Sequence, residues 1–140
     1  MVIDIYGDAL NNDCDILCHQ VNLQGAMGAG IAAQIAYEFP EVDDEYVHFP
    51  NKKLGEVCFA NTDKYIIANC FSQGWDFTTD YDALHKCMEC VNNFMDAHGY
   101  KNVAFPFHYG CGIASGNWDI VLSIICEELK DKTIKIYHRN

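Results

Sequence analysis

The chain has 140 residues, 50% of them hydrophobic and 21% charged, which excludes disordered, collagen-like and low-complexity proteins. A chain of this length buries about 70% of its unfolded surface and makes one domain by size, so residues 1–140 are expected to form a single domain. No apolar run approaches the ~20 residues of a bilayer span, and nine Lys plus Arg against twenty Asp plus Glu, a net charge of −11, argues against coating a nucleic-acid backbone.

In chain order, Val2-Ile3-Asp4-Ile5-Tyr6 alternates and predicts a strand stopped by Gly7-Asp8. The start has no basic region followed by a long apolar run, so no secretory signal is visible. The eight cysteines, Cys14, Cys18, Cys58, Cys70, Cys87, Cys90, Cys111 and Cys126, are accordingly expected to be reduced thiols of a cytoplasmic protein. Asp15 to Val21 holds the short apolar run of a buried strand. A glycine-rich stretch from Gly25 through Gly28 to Gly30 leads into helical spacing from Ile31 to Phe39, which Pro40 is expected to end.

Val57 to Ala60 and Tyr65 to Phe71 predict a hairpin about residues 61–64, and Gly74 to Thr79 a polar and aromatic loop. Asp80 to His98 predicts the longest helix, capped near Thr79 or Asp80 and closed by Gly99. Val103 to Phe105 is a short strand leading to Pro106 and a second glycine cluster at Gly110 and Gly112. Asn117 to Leu129 predicts a helix with Ile120, Val121, Ile124 and Ile125 on its apolar side, and Ile134 to Tyr137 the last strand. Strands alternating with helices predict a largely parallel sheet flanked by helices, a three-layer α/β/α fold.

Both glycine clusters follow a strand and precede a helix, where an open α/β sheet binds ligands. Glycine lets the backbone approach a ligand, and a helix N-terminus adds unpaired N–H groups. Two such loops could grip a diphosphate from both sides. Gly28-x-Gly30 does not complete the dinucleotide fingerprint, and no Gly-Lys-Ser/Thr ending makes a P-loop. Residue types and spacing therefore stop at a phosphate-bearing small molecule, with packing glycines as the plainer alternative.

At these residues the chain resembles the macro domain family of ADP-ribose-binding α/β/α modules with a mixed, largely parallel central sheet. The ordered set is Tyr6-Gly7-Asp8-Ala9, then Cys18-His19-Gln20-Val21-Asn22 with Gln24-Gly25-Ala26-Met27-Gly28-Ala29-Gly30-Ile31, then Pro106 to Gly112 and Gly116-Asn117-Trp118. Its pattern is similar to the compact members: yeast-type ADP-ribose 1''-phosphate phosphatases, phage-encoded relatives and the terminal ADP-ribose glycohydrolase branch. The resemblance implies that Asp8, with Ala9 beside it, accepts the adenine amino group. It implies that Gly25, Ala26, Met27, Gly28, Ala29, Gly30 and Ile31 in one loop, and Gly110, Cys111, Gly112, Ile113 and Ala114 in the other, bind the two phosphates through backbone N–H groups, with Tyr109 beside them as a further ligand-binding residue.

It further implies that Asn22 faces the distal ribose and that His19 acts in catalysis, with His108 within reach of a distal phosphate; a histidine suits proton transfer near neutrality. The glycohydrolase branch uses a lysine after its central strand and an aspartate after the Gly-Cys-Gly turn, whereas this chain has Ser72 or Gln73 and Ala114 there. That departure favours hydrolysis of ADP-ribose 1''-phosphate to ADP-ribose and phosphate, or binding of ADP-ribose or a related nucleotide without turnover; removal of ADP-ribose from a macromolecule is the third reading. His19 as a structural residue at a strand end is the plainer alternative to catalysis. His85-x-Cys87-x-x-Cys90 lacks a fourth ligand for zinc, so no metal and no cofactor are expected.

Overall fold

The computed structural model describes residues 1–112 and 114–139. Its strands are β1 (Val2–Tyr6), β2 (Ile16–Val21), β3 (Val57–Asn61), β4 (Ile66–Phe71), β5 (Asn102–Pro106) and β6 (Thr133–His138), in one sheet of order β1-β6-β5-β2-β4-β3. Every neighbouring pair is parallel except β3, which returns antiparallel along β4 through the predicted hairpin, Val57 opposite Cys70 and Asn61 opposite Ile66. The helices are α1 (Gly30–Glu38), α2 (Pro40–Val47), α3 (Tyr81–His98) and α4 (Trp118–Glu128), with one 3-10 turn at Ala9–Asn11.

Strand β2 explains the layering. Ile16 and Cys18 point into a core shared with Leu84, Met88 and Val91 of α3 and Val121 and Ile125 of α4. Leu17 and Val21 point the other way, into a core with Ile35 of α1 and Val42 and Tyr46 of α2. A strand covered on both faces is mostly apolar, and β2 is so apart from His19 and Gln20. The fold is the three-layer α/β/α arrangement with a mixed, mostly parallel sheet.

Local chemistry sets the helix ends. Asp80 caps α3, its carboxylate accepting the Ala83 N–H at 2.9 Å, and Gly99 closes the helix at φ +71°, a left-handed conformation in which glycine carries no Cβ penalty. The first helix ends at Glu38, just before Pro40 as expected, and Pro40 then opens α2, because a proline's missing N–H costs nothing in a first helical turn. One expectation is corrected: Ile120 is not on the buried side of α4 but 44% exposed, since the helix packs through Val121, Ile124 and Ile125.

Lys132, just before β6, is 2% exposed. Its ammonium donates to Asn92 Oδ1, Asp96 Oδ1 and Asp131 Oδ2 at 2.9, 2.7 and 3.1 Å, so the buried charge is fully satisfied and ties α3 to the sheet. No described helix is long and apolar enough to cross a membrane. Because β1, β6, β5, β2 and β4 are all parallel, their carboxyl ends share one edge. The two glycine loops, the 72–79 segment and Asp8 meet there.

Candidate functional site

The first loop, residues 22–29, links β2 to α1. Asn22 shapes it: Oδ1 accepts the Gln24 and Ala26 N–H groups at 3.1 and 3.4 Å, while Nδ2 donates to the Ala26 carbonyl at 2.9 Å. Tyr46 of α2 supports Asn22 from below. Its hydroxyl lies 2.7 Å from the Asn22 carbonyl and 2.6 Å from Oδ1, and accepts the Gly25 N–H at 3.1 Å. The backbone N–H groups of Gly28, Ala29, Gly30 and Ile31, by contrast, meet no acceptor among the described residues. Three of them open α1, where N–H groups have no partner within the helix.

This division of labour predicts the effect of Tyr46→Phe. Removing the hydroxyl strands the Gly25 N–H and loosens Asn22, so we expect a stability loss of ~1–3 kcal/mol and weaker ligand binding. Chemical denaturation and ligand titration of the same variant check it; unchanged affinity would separate Tyr46 from the loop's function.

The second loop, residues 107–117, links β5 to α4. Gly110, at φ +72°, presents its carbonyl to two donors, Thr79 Oγ1 at 2.7 Å and the Gly116 N–H at 2.8 Å. Tyr109 is buried beneath it, its hydroxyl 2.7 Å from Ser72 Oγ. Gln20, on β2, spans the floor by donating to Ser72 Oγ at 3.2 Å and Thr79 Oγ1 at 3.1 Å. His108 stands at φ +64° and stacks on Phe107 with ring centroids 3.7 Å apart.

Between the loops runs a cleft of about 780 Å³, within the range of small-molecule sites. Its walls include Asn22, Ala26, Gly28, Ala29, Gly30, Ile31, His108, Tyr109, Gly110, Gly112 and Ala114, and its floor Gln20, Val21 and Pro106. Among the described residues no Lys, Arg, Asp or Glu lines it, and His108 is the one histidine that does.

Other expected site residues are placed differently. His19 has no exposed surface and does not line the cleft: it points from β2 into the α1/α2 side, beside Asn69 of β4. Asn69 Nδ2 donates to the Cys58 carbonyl at 3.0 Å, which turns Oδ1 towards His19 Nε2 at 2.6 Å. His19 therefore carries its proton on Nε2, and Nδ1 has no partner among the described residues. Burial pushes its pKa down to about 4, against a smaller upward pull from the Asn69 bond. A catalytic His19 would have to reach substrate through the cleft floor.

Asn22 borders the cleft, but its amide is occupied within its own loop. The N–H groups of Gly25 and Ala26 are likewise spoken for, and Met27 is buried outside the lining. Asp8 uses one carboxylate oxygen to cap Leu10 N–H at 3.0 Å and, with buried Ala9, lies at the carboxyl end of β1 rather than in the cleft wall. Cys111 is half-buried with its thiol on the Tyr109 carbonyl at 3.3 Å, and burial pushes its pKa up, away from thiolate chemistry. Ile113 lies outside the described residues.

His85 pairs with Glu128 at 3.2 Å while Cys87 faces the core, and no cluster of three or more metal-ligating side chains occurs among the described residues. Sequence reasoning missed Gln20, Gln73, Tyr46 and Thr79. Their roles depend on contacts across the fold, and no local pattern signals them.

A glycine-walled cleft at the carboxyl edge of a parallel sheet is where open α/β proteins bind small molecules. The Macro domain profile matches residues 18–125, and the chain belongs to that family. It is 31% identical over 120 residues to a 17.5 kDa protein of the tk-vs intergenic region of Enterobacteria phage T4, covering 78% of this chain and 76% of that one. A protein of unknown function from Bacteroides thetaiotaomicron superposes with a TM-score of 0.89 at 26% identity, covering 99% of this chain and 98% of the other. Thermosipho africanus DarTG, solved in complex with ADP-ribose, shares the fold with a TM-score of 0.86 at 20% identity, covering 98% of this chain and 41% of that one.

Proposed function

We propose that this macro domain binds ADP-ribose in the cleft between its two glycine loops, as a binding module without turnover. The observation that carries the reading is that the N–H groups of Gly28, Ala29, Gly30 and Ile31 meet no acceptor among the described residues, in a cleft that Gly110 and Gly112 also line and that no described Lys, Arg, Asp or Glu enters. Backbone donors at a helix N-terminus bind phosphate without Lys or Arg, which reconciles an anionic ligand with a chain of net charge −11. The bound ADP-ribose of the Thermosipho africanus relative supports the ligand. In this reading the diphosphate lies between the loops, the adenosine towards Asp8, and the distal ribose towards Asn22 and Gln73.

Turnover lacks machinery in this reading. His19 is buried, the Asn22 amide is occupied, and Ser72, Gln73 and Ala114 stand where the glycohydrolase branch carries its lysine and aspartate. One observation favours a second reading, hydrolysis of ADP-ribose 1''-phosphate to ADP-ribose and phosphate: His108 lines the cleft and could serve a distal phosphate. The eight free cysteines fit a reducing, cytoplasmic compartment.

Calorimetric titration with ADP-ribose, followed by a phosphate-release assay on ADP-ribose 1''-phosphate, tests both readings. Binding without phosphate release is the expected result. Release that disappears in His108→Ala while ADP-ribose still binds would replace it with the phosphatase. Failure of ADP-ribose to bind would refute the ligand itself.

A further inference from the structure

The segment joining β4 to α3 carries two aromatic rings that neither the core nor the phosphate loops use. Its base is tied down: Gln73 and Thr79 pair as an isolated antiparallel bridge, Thr79 Oγ1 donates to the Gly110 carbonyl at 2.7 Å, and Gln20 Nε2 reaches the Ser72 carbonyl at 3.3 Å. Its tip, Trp75-Asp76-Phe77, touches the first glycine loop through Gln24 Nε2 and the Trp75 carbonyl at 3.5 Å. At that tip Trp75 is 67% exposed and Phe77 48%. Phe77 also holds φ +64°, a left-handed conformation that is strained for a bulky residue.

Two rings left in water on a firmly anchored base, one of them strained, mark a recognition surface rather than a packing one. Phe77 lines the cleft together with Gln73, on the β4 side. The strand order β1-β6-β5-β2-β4 puts that end farthest from Asp8. Between the rings in sequence stands Asp76. Its Oδ1 accepts the Thr78 N–H at 3.2 Å and the Thr78 hydroxyl at 2.8 Å, bonds that favour the carboxylate form.

Two exposed aromatic rings with a carboxylate between them in sequence, beside a cleft that no described Lys or Arg lines, suit a flat cation. We propose that the Trp75–Phe77 tip recognises a planar cationic group attached to the distal ribose. Two sources present it, the pyridinium ring of oxidised nicotinamide dinucleotide and a guanidinium joined to the ribose through nitrogen. An anionic end group would instead meet Asp76. The inference rests on the ADP-ribose reading and on the ligand direction given with it.

Titration calorimetry on the full chain, at fixed ionic strength, tests it with ADP-ribose, NAD+, NADH and ADP-ribosylated agmatine. NADH is the control: nearly the same size, but with a neutral dihydropyridine ring. NAD+ or the agmatine adduct is expected to bind about tenfold tighter than NADH, the scale of a partly desolvated cation–π contact, and whichever of the two shows the gain identifies the source. Phe77→Asn keeps a residue type that tolerates positive φ. It should bring the ratio of cationic to neutral ligand close to one, without lowering the melting temperature. Asp76→Asn keeps the acceptor for Thr78 and should lose part of the preference.

Equal binding of cationic and neutral ligands by the wild type overturns the inference, as does a preference that survives Phe77→Asn. ADP-ribose binding without a cation preference refutes this inference alone. No binding of ADP-ribose refutes the ligand reading beneath it.

Discussion

Gly116→Ala is expected to weaken ligand binding sharply and to destabilise the protein. A Cβ at this position would lie 2.4 Å from the Gly110 carbonyl oxygen and 3.2 Å from the Gly110 carbonyl carbon. Backbone cannot swing aside as a side-chain tip can. The same oxygen is already held by the Gly116 N–H at 2.8 Å and Thr79 Oγ1 at 2.7 Å, so moving it breaks both bonds. Overpacking of this kind costs ~1–3 kcal/mol, and the relief available is to push the second loop across the cleft. We expect affinity for ADP-ribose to fall at least ~100-fold, corresponding to ~2.7 kcal/mol, with a melting temperature lower by several degrees. Gly112→Ala is the stability control, since nothing lies within 4 Å of its added Cβ. Equal melting temperatures for the two variants would show that the crowding at Gly116 is readily relieved.

Acid is expected to unfold the domain largely through His19. Its pKa falls from the ordinary 6.5 to about 4 on folding, because burial disfavours the imidazolium. Below pH 6.5 the unfolded chain binds a proton that the folded chain refuses, so the stabilisation is complete above pH 6.5 and is lost progressively as the pH falls towards 4. The shift corresponds to roughly 3 kcal/mol, of which ~2–3 kcal/mol is lost by pH 4.5. His19→Gln replaces the imidazole by an amide able to donate to Asn69 Oδ1 without titrating. Urea unfolding at pH 7.5 and pH 4.5 should show the wild type losing ~2–3 kcal/mol more than this variant. Parallel losses would mean that His19 titrates normally in the folded protein. The same variant probes chemistry: a phosphate-release activity that His19→Gln removes would return His19 to the catalytic role expected from the family resemblance.

Both predictions turn on features that the linear sequence partly announces. Glycines following strands mark the two loops, and a histidine ending an apolar run is conspicuous in either place. Neither pattern says which glycine touches backbone or which way the imidazole points. Gly110 and Gly112 read alike in sequence, yet the crowding that matters falls on Gly116, through a carbonyl six residues earlier in the chain. His19 reads as a candidate acid–base group until Asn69, fifty residues later, turns its amide oxygen onto Nε2 at 2.6 Å.

Patterns with short range were legible from the residues. Alternation in Val2–Tyr6, the double-sided apolar run of Ile16–Val21, the Asp80 and Gly99 caps and the hairpin about residues 61–64 predict the elements and the α/β/α class, because strand pleat, helical turn and capping are decided by neighbours a few residues away. Pro40 shows the edge of that range, one residue serving equally as a helix stop or a helix start. Partnership across the sheet was not legible. Tyr46 holding Asn22, Gln20 and Thr79 tying the 72–79 segment to Gly110, and Asp8 standing at the far end of the sheet edge all follow from the order β1-β6-β5-β2-β4-β3. Folding brings Tyr46, Gln20 and Thr79 to partners in other elements because burial takes water from their polar atoms.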